Sequence, residues 1–505
     1  MLDPPATAGG TDLFASSAVF DEMQSEGGKR VVVIGGGISG LAAAHRLVER
    51  GRASLPFNLE VLLLERSSHV GGTIRTVRRD GFLLETGPDS FISEKPEALE
   101  LARRIGLEDR LIQTESAHRR SFIVRGGALR PVPEGFQLLA PSRFWPFLTS
   151  DIFSWTGKAR MALELLLPRR VHENGSADES LAEFVRRRFG REALERMAQP
   201  MVGGIYTADP EKLSLKATMP RFLEMERKHR SLIWAMWRAR RKLSREETQG
   251  TSGARYSLFL SLDEGMQLLS DTLAARLPAG VIRLNTSVER IGFDKEKKVW
   301  TIYLRGGEEI SADAVCVALP AYAAGSLLSE VDAQLASELE AIPYASTATI
   351  NFGWRREDIP HPLDGFGFVV PFAERRTVLA CTFTSVKFRG RAPEGHAVLR
   401  AFVGGALQPE MFALDEEAMT KRVLEDLREL LGIEKPPLFS VVEKWPRSMA
   451  QYMVGHLERV ARIKQRVYAL GSLQLAGNAY HGAGLPDCIR GAERAADETI
   501  KALRW

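Results

Sequence analysis

Cysteine is scarce in this 505-residue sequence: Cys316, Cys381 and Cys488 are odd in number and far apart. That excludes a disulfide framework, points to no metal site and fits a reducing cytoplasm. No run of about 18 apolar residues occurs, so no transmembrane helix is expected. Residues 1–28 contain no Lys or Arg, and so lack the basic flank of a signal peptide; they read as a loose extension. The formal charge of +4 argues against a dedicated nucleic-acid binder. None of the nine histidines stands in a catalytic constellation, and His69, His229 and His481 read as structural.

The most informative segment is RVVVIGGGISG, residues 30–40, an apolar strand followed by Gly35, Gly37 and Gly40 at G-x-G-x-x-G spacing and then the helix-like LAAAHRLVER. Gly35 permits the tight turn, Gly37 lets backbone approach a pyrophosphate, and Gly40 lets helix pack on strand. The helix N-terminus adds free amides and a partial positive charge. The next strand, LEVLLLER, ends in Glu65, 25 residues after Gly40, where a carboxylate can accept ribose hydroxyls. The competing interpretation, an ordinary βαβ unit with a glycine turn, leaves the acid at that distance without a purpose.

Beyond Glu65, HVGGTIRT carries Gly71 and Gly72 in a turn whose amides can extend the phosphate cradle. A β-rich hairpin then ends in Gly87-Pro88-Asp89-Ser90. Residues 133–245 have helical character, VIRLNTSVERIGFD, VWTIYLRG and ISADAVCVALP form a meander whose last strand re-enters a core, and residues 345–405 are again β-rich. The C-terminal LQLAGNAYHGAGLPDCIRGAERAADETIKAL is a strand, a glycine-rich turn and a helix. These patterns predict an α/β plus α+β fold: a Rossmann-type dinucleotide-binding domain assembled from both chain ends, an inserted mixed β-sheet domain and a helical lobe; a family resemblance makes the first the FAD-binding domain and the second the substrate domain. The expected boundaries are 1–28 (extension), 29–118, 251–325 and 456–505 (FAD-binding parts), 119–250 (lobe) and 326–455 (substrate domain). No second dinucleotide fingerprint follows a strand, so electrons are expected to enter the flavin from an organic substrate and not from NADPH.

GGGISGLAAA, Glu65-Arg66, GGTIRT and AGNAYHGAGLPDCIRGAERAA together resemble the FAD-containing amine oxidase and phytoene desaturase superfamily. Within it, LETGPDSF (84–91), GGIYTADPEKLSLKATMP (203–220), HRSLIW (229–234), GFGFVVP (365–371), QYMVGHLERV (451–460) and GLPDCIRGA (484–492) resemble the bacterial, oxygen-dependent protoporphyrinogen oxidase / coproporphyrinogen III oxidase family. These motifs span nearly the whole chain outside the N-terminal tail. The resemblance implies FAD contacts at Gly35, Gly36, Gly37, Ile38, Ser39, Gly40, Glu65, Arg66, Gly71, Gly72, Thr73, Gly87, Pro88, Asp89 and Ser90. It adds Val288, whose backbone can pair with adenine, Trp445, and the Gly484-Leu485 turn. Helix amides at that turn can face the flavin pyrimidine edge. Two departures stand out. His69-Val70-Gly71-Gly72 replaces the family's Arg-x-Gly-Gly, leaving Arg66 or Arg75 to supply that contact. Asp89 stands where members show Asn or Arg, either shaping substrate charge preference or capping a turn.

The implied reaction is oxidation of a porphyrinogen to the porphyrin in haem biosynthesis. Three two-electron cycles pass hydride from one meso carbon to flavin N5, pyrrole tautomerisation relays hydrogen to that carbon, and O2 is reduced to H2O2. The macrocycle needs apolar walls, carbonyls for its pyrrole N–H groups and a cation for propionate. The resemblance implies Val369 and Phe388 as walls, Gly204 with Tyr206 nearby for the carbonyl, and Arg120 for the anchor; a one-residue gap would place Ser121 there instead. Either protoporphyrinogen IX or coproporphyrinogen III fits, with protoporphyrinogen placed first.

A homodimer is common in the family. FQLLAPSRFWPFLTSDIFSW (136–155), MALELLLPRR (161–170) and RFLEMERKHRSLIWAMWRARRKLSR (221–245) are aromatic and basic, and predict peripheral contact with the inner face of the cell membrane, or else a cover for the active site. The alternatives are an amine oxidase, against which Ala476-Gly477-Asn478 stands in place of the expected AGE, a carotenoid desaturase, and a non-enzymatic GDI-like binding protein.

Overall fold

The computed structural model describes residues 28–53, 55–137, 139–170, 178–242 and 259–504. All but the last residue of the expected N-terminal extension lies outside them, as does the expected boundary at 250. A five-stranded parallel sheet forms the nucleotide-binding unit, in the order Ile282–Arg283, Leu59–Leu64, Lys29–Ile34, Ala314–Val317, Leu473–Leu475. Its strands come from three distant stretches of chain. The central strand runs as VVVI because both faces of the sheet are covered: Val31 and Val33 share a core with helix residues such as Leu41 and Ile489, and Val32 and Ile34 share one with Ile291, Trp300 and Ile302 of an antiparallel sheet; Val31, Val32 and Val33 have no exposure. Two helices, Ile38–Arg52 and Leu485–Leu503, pack against each other on this sheet. The expected meander is a three-stranded antiparallel sheet, Val288–Asp294, Val299–Leu304 and Glu309–Ala312, and the chain then returns to the parallel sheet at Ala314–Val317.

The inserted substrate domain is built on a seven-stranded mixed sheet, in the order Phe439–Ala450, Tyr344–Arg355, His396–Gly404, Ala380–Phe383, Gly367–Val369, Phe122–Arg125, Ala128–Pro131. Only the join between Gly367–Val369 and Phe122–Arg125 is parallel. The last two strands correct the expected lobe boundary at 119: FIVR-GG-ALRP is an edge hairpin of the substrate sheet, turned by Gly126 and Gly127, both with positive φ. The helical lobe between them contains Trp155–Ala162, Leu181–Arg188, Gln199–Tyr206, Pro220–His229 and Leu232–Lys242. Its centre holds a buried ion-pair hub. Arg188 meets Glu164, and Glu164 also accepts the Leu232 amide at 2.8 Å and the Ser231 hydroxyl at 2.5 Å. That carboxylate therefore caps helix Leu232–Lys242 and fixes its direction.

Candidate functional site

Three glycine turns meet above the carboxyl ends of the parallel strands. At Gly40 an added Cβ would sit 1.8 Å from the Gly35 carbonyl oxygen, so strand and helix close only around glycine. Gly35 has φ +105. Gly71 donates its amide to the Gly36 carbonyl at 2.9 Å, and Gly72, φ +60, lies against Gly37. Gly87 is pressed onto Thr73, whose carbonyl oxygen would be 1.6 Å from a Cβ there. Gly37 differs from these: a Cβ would find nothing nearer than Gly72 Cα at 4.0 Å. It caps helix Ile38–Arg52 without a side-chain hydrogen bond and without an acid in the first turn. The helix therefore presents free amides at a backbone that nothing crowds, an arrangement suited to a diphosphate.

Glu65 ends the second strand. Its carboxylate accepts the Gly36 amide at 2.6 Å and the Ser67 amide at 2.8 Å, which orients both oxygens and leaves lone pairs for ribose hydroxyls. The Glu65 carbonyl accepts the Thr286 amide at 2.8 Å, bringing the half-buried Val288 to the same end of the cradle. Arg66 is exposed there, whereas Arg75 pairs with Glu443 at 3.3 Å. The C-terminal helix also opens on glycine, Gly484, with no side-chain cap. Leu485 and Cys488 in its first turn are buried in one core with Ile38, and the two helices pack together, so their open ends lie on the same side of the sheet. Gly37 to Ser39 and the Leu485 end are the parts of this cradle that could hold the phosphates and the far end of an elongated dinucleotide.

Residues 85–90 are bolted to the substrate sheet. The Thr86 carbonyl accepts Thr349 Oγ1 at 2.8 Å, Trp445 Nε1 at 2.8 Å and Arg400 Nη2 at 3.4 Å, and the Glu85 carbonyl accepts Asn351 Nδ2 at 3.0 Å. The indole of Trp445 is therefore engaged with the loop. Asp89 accepts Lys387 Nζ at 2.8 Å and Ser90 Oγ at 2.7 Å. Burial alone would raise the Asp89 pKa. The charges of Lys387 and Arg400 and the hydrogen bonds from Lys387 and Ser90 outweigh it and hold the carboxyl well below the usual range. Glu85 goes the other way: burial raises its pKa against the Met266 amide, the Thr76 hydroxyl and the charges of Arg391 and Arg400. Lys387 and Arg400, both buried, carry much of the local charge yet belong to no motif in the sequence.

On the substrate side, Gly204 lies in the last turn of helix Gln199–Tyr206 with Val369 Cγ1 3.6 Å from its Cβ position, and Tyr206 follows in the same turn. Arg120 is exposed; its Nε donates to the Asp364 carbonyl at 2.6 Å and its head pairs with the Asp364 carboxylate, whereas Ser121 is buried. Phe388 is fully buried, with the Lys387 and Arg391 heads over its ring, and so forms no open wall for a substrate.

A paired-glycine cradle, a distal carboxylate and a second open helix end define a dinucleotide-binding α/β flavoprotein fold. The family model for flavin containing amine oxidoreductases matches residues 38–500. Coproporphyrinogen III oxidase of Bacillus subtilis (strain 168) is 35% identical, covering 95% of this chain and 99% of its own length. The Propionibacterium freudenreichii coproporphyrinogen III oxidase is 36% identical, covering 99% and 94%. Chloroplastic protoporphyrinogen oxidase of Nicotiana tabacum is 29% identical, covering 94% and 85%. A candidate protoporphyrinogen oxidase of known structure, from Exiguobacterium sp. 255-15, superposes with a TM-score of 0.82 at 31% identity, covering 94% and 99%. A UDP-galactopyranose mutase, TM-score 0.69 at 17% identity, shares the fold alone. This chain belongs to the flavin-containing amine oxidoreductase family, and it is an oxidoreductase with FAD as its cofactor.

Proposed function

We propose that this protein oxidises a porphyrinogen, with coproporphyrinogen III ahead of protoporphyrinogen IX. The observation that carries this order is full-length identity of 35% and 36% to two coproporphyrinogen III oxidases, against 29% to the tobacco protoporphyrinogen oxidase. It reverses the order in which the family name places the two substrates.

FAD, when bound, supplies the two-electron acceptor, and O2 is the final oxidant. The chain's own part is to hold and to orient. Gly37 to Ser39 and Glu65 bind the pyrophosphate and ribose, and the open end of helix Leu485–Leu503 favours negative charge at the pyrimidine edge. The 85–90 segment, fixed by four side chains of the substrate sheet and by Lys387 from the short turn of helix beside it, sets the distance between cofactor and substrate. Gly204, Tyr206 and Val369 form the macrocycle wall. Arg120 is the propionate anchor, because Ser121 is sealed into the hairpin; Asp364 already balances part of its charge.

Anaerobic mixing of the yellow protein with each porphyrinogen tests the reading. Flavin bleaching is expected with both, faster with coproporphyrinogen III, followed by porphyrin fluorescence and peroxide on admitting air. A yellow protein indifferent to both would point to amines or polyenes as substrates. A colourless one that FAD cannot reconstitute would point to the GDI-like reading.

The helical lobe also supports contact with an anionic lipid surface. No helix among the described residues is long and apolar enough to cross a membrane. Yet Trp145, Trp155 and Leu166 are each 73% exposed, and Phe144, Leu163, Leu165, Trp234 and Trp237 are exposed on the same lobe. Helix Leu232–Lys242 packs on the turn Leu163–Leu165, and Arg230 reaches the Leu165 carbonyl at 3.1 Å, setting a cation beside apolar surface. Co-sedimentation with vesicles containing anionic lipid is expected to fall severalfold in a Trp145→Ser/Trp155→Ser double variant. Equal recovery of both proteins with the vesicles, or of neither, would remove this contact.

A further inference from the structure

We propose that Tyr452 is a positioning residue that couples the helical lobe to the loop before the C-terminal helix, and thereby sets where that helix end meets the flavin. The inference rests on the FAD site proposed at Gly484-Leu485.

The phenol oxygen makes two bonds to that loop. It donates to the Asn478 carbonyl at 2.5 Å and accepts the Gly482 amide at 2.9 Å. Its ring stacks on His456, centroids 4.2 Å apart and 9° from parallel. Both rings are buried, Tyr452 at 3% exposure and His456 at 4%. Two points of the loop are thus held from one direction.

The loop has little freedom to absorb a change. Gly482 has φ +139, and a Cβ there would lie 2.4 Å from Asp487 Cγ. Asp487 sits in the first turn of helix Leu485–Leu503, where it pairs with Lys95 and Arg490, each at 2.5 Å. Displacement at Gly482 therefore passes directly into the first turn.

The other side of Tyr452 faces the lobe. Its carbonyl accepts the Ser214 amide at 2.8 Å, and Leu213 bridges to Met453. Ser214 Oγ donates to Asp178 Oδ1 at 2.8 Å, and Asp178 Oδ2 accepts the Gly455 amide at 3.2 Å. Next to Tyr452, Gln451 Nε2 donates to the Tyr206 carbonyl at 3.1 Å, beside the proposed macrocycle wall. One residue thus touches the lobe through its backbone and the cofactor loop through its side chain. Burial raises the phenol pKa well above the ordinary range, so the hydroxyl keeps the proton it donates to Asn478.

Tyr452→Phe keeps the ring and its stack and removes both loop bonds. The test measures FAD dissociation from the apoprotein and the midpoint potential of bound FAD, in wild type, Tyr452→Phe and, as a control, Tyr468→Phe, whose side chain is 87% exposed. Tyr452→Phe is expected to weaken FAD binding about tenfold. Its potential is expected to become more negative, by ~30 mV for each tenfold preferential loss of reduced-state affinity. Tyr468→Phe should match wild type in both. A Tyr452→Phe protein that melts earlier but keeps wild-type affinity and potential would overturn the proposal, since the tyrosine would then serve folding alone. Should Tyr452→Phe fail to fold, His456→Ala, which removes the ring stacked on Tyr452, is expected to shift FAD affinity about threefold in the same direction; no shift would overturn it. A wild-type protein that does not bind FAD would instead refute the underlying site.

Discussion

Three long helices of this fold begin in two different ways. Helix Glu416–Leu431, on the substrate domain, is closed by Asp415, whose Oδ1 accepts the Ala418 amide at 2.7 Å, and Glu416 and Glu417 follow in its first turn. Helices Ile38–Arg52 and Leu485–Leu503 of the nucleotide unit begin at Gly37 and Gly484 with no side-chain cap. The first has no acid in its opening turn, and the single acid of the second, Asp487, is neutralised by Lys95 and Arg490. A helix that serves only the fold satisfies its own amides. A helix end left open inside the protein holds unsatisfied donors for something else.

Helix His456–Ala469 sets a limit on that rule. It too starts at a glycine, Gly455 with φ +86, and has no side-chain cap, but its first residue is the buried imidazole stacked on Tyr452. Burial lowers the His456 pKa to about 4 from 6.5, with Arg459 adding to the effect against Glu458 and the Ala479 backbone. An open helix end filled by a neutral ring is no anion site, and it disfavours protonation twice, by burial and by the helix dipole. In the folded state the imidazole stays neutral where the unfolded chain takes up a proton. Stability is thus full above pH 6.5 and declines as pH falls towards 4, by about 3 kcal/mol at most from this group. Urea unfolding of the apoprotein across that window should show His456→Phe losing less stability than wild type. Parallel curves would mean that the ring is protonated in the folded state.

How much of this could be read from the chain depends on how local each feature is. The cradle was legible because Gly35, Gly37, Gly40 and Glu65 sit in one βαβ unit, where spacing determines position. The meander was legible from its alternation. The attachment of residues 85–90 was not: Asn351 and Trp445 reach them across 266 and 359 residues, and no periodicity announces a pairing at that distance. Lys387 and Arg400 lie 298 and 313 residues from the Asp89 and Gly87 they meet, and are hidden for the same reason. The hairpin at 122–131 is announced only by Gly126-Gly127 between two apolar runs, a turn signal that does not say which sheet its strands join. Tyr452 lay inside a recognised motif, but its work is done by an oxygen whose partners are 26 and 30 residues away.

The smallest expected effect cuts closest to the comparison, because it exchanges the two kinds of helix end. Gly37 has φ −68 and ψ 176, the extended geometry of an N-cap, and the space at its Cβ position is open. Gly37→Ser can therefore close the end of helix Ile38–Arg52 with its own hydroxyl. The apoprotein is expected to gain a few tenths of a kcal/mol. FAD affinity is expected to fall at least about tenfold, because the side chain occupies the cradle and competes for its amides. The reciprocal change, Asp415→Gly, opens the end of helix Glu416–Leu431 at the surface, where water can meet the freed amides. It should cost only a few tenths of a kcal/mol and leave FAD binding untouched. Thermal melts of both apoproteins, with FAD titrations beside them, read all four quantities. If Gly37→Ser binds FAD as wild type does, the openness of that helix end belongs to packing, and the distinction between the two kinds of helix start loses its functional meaning.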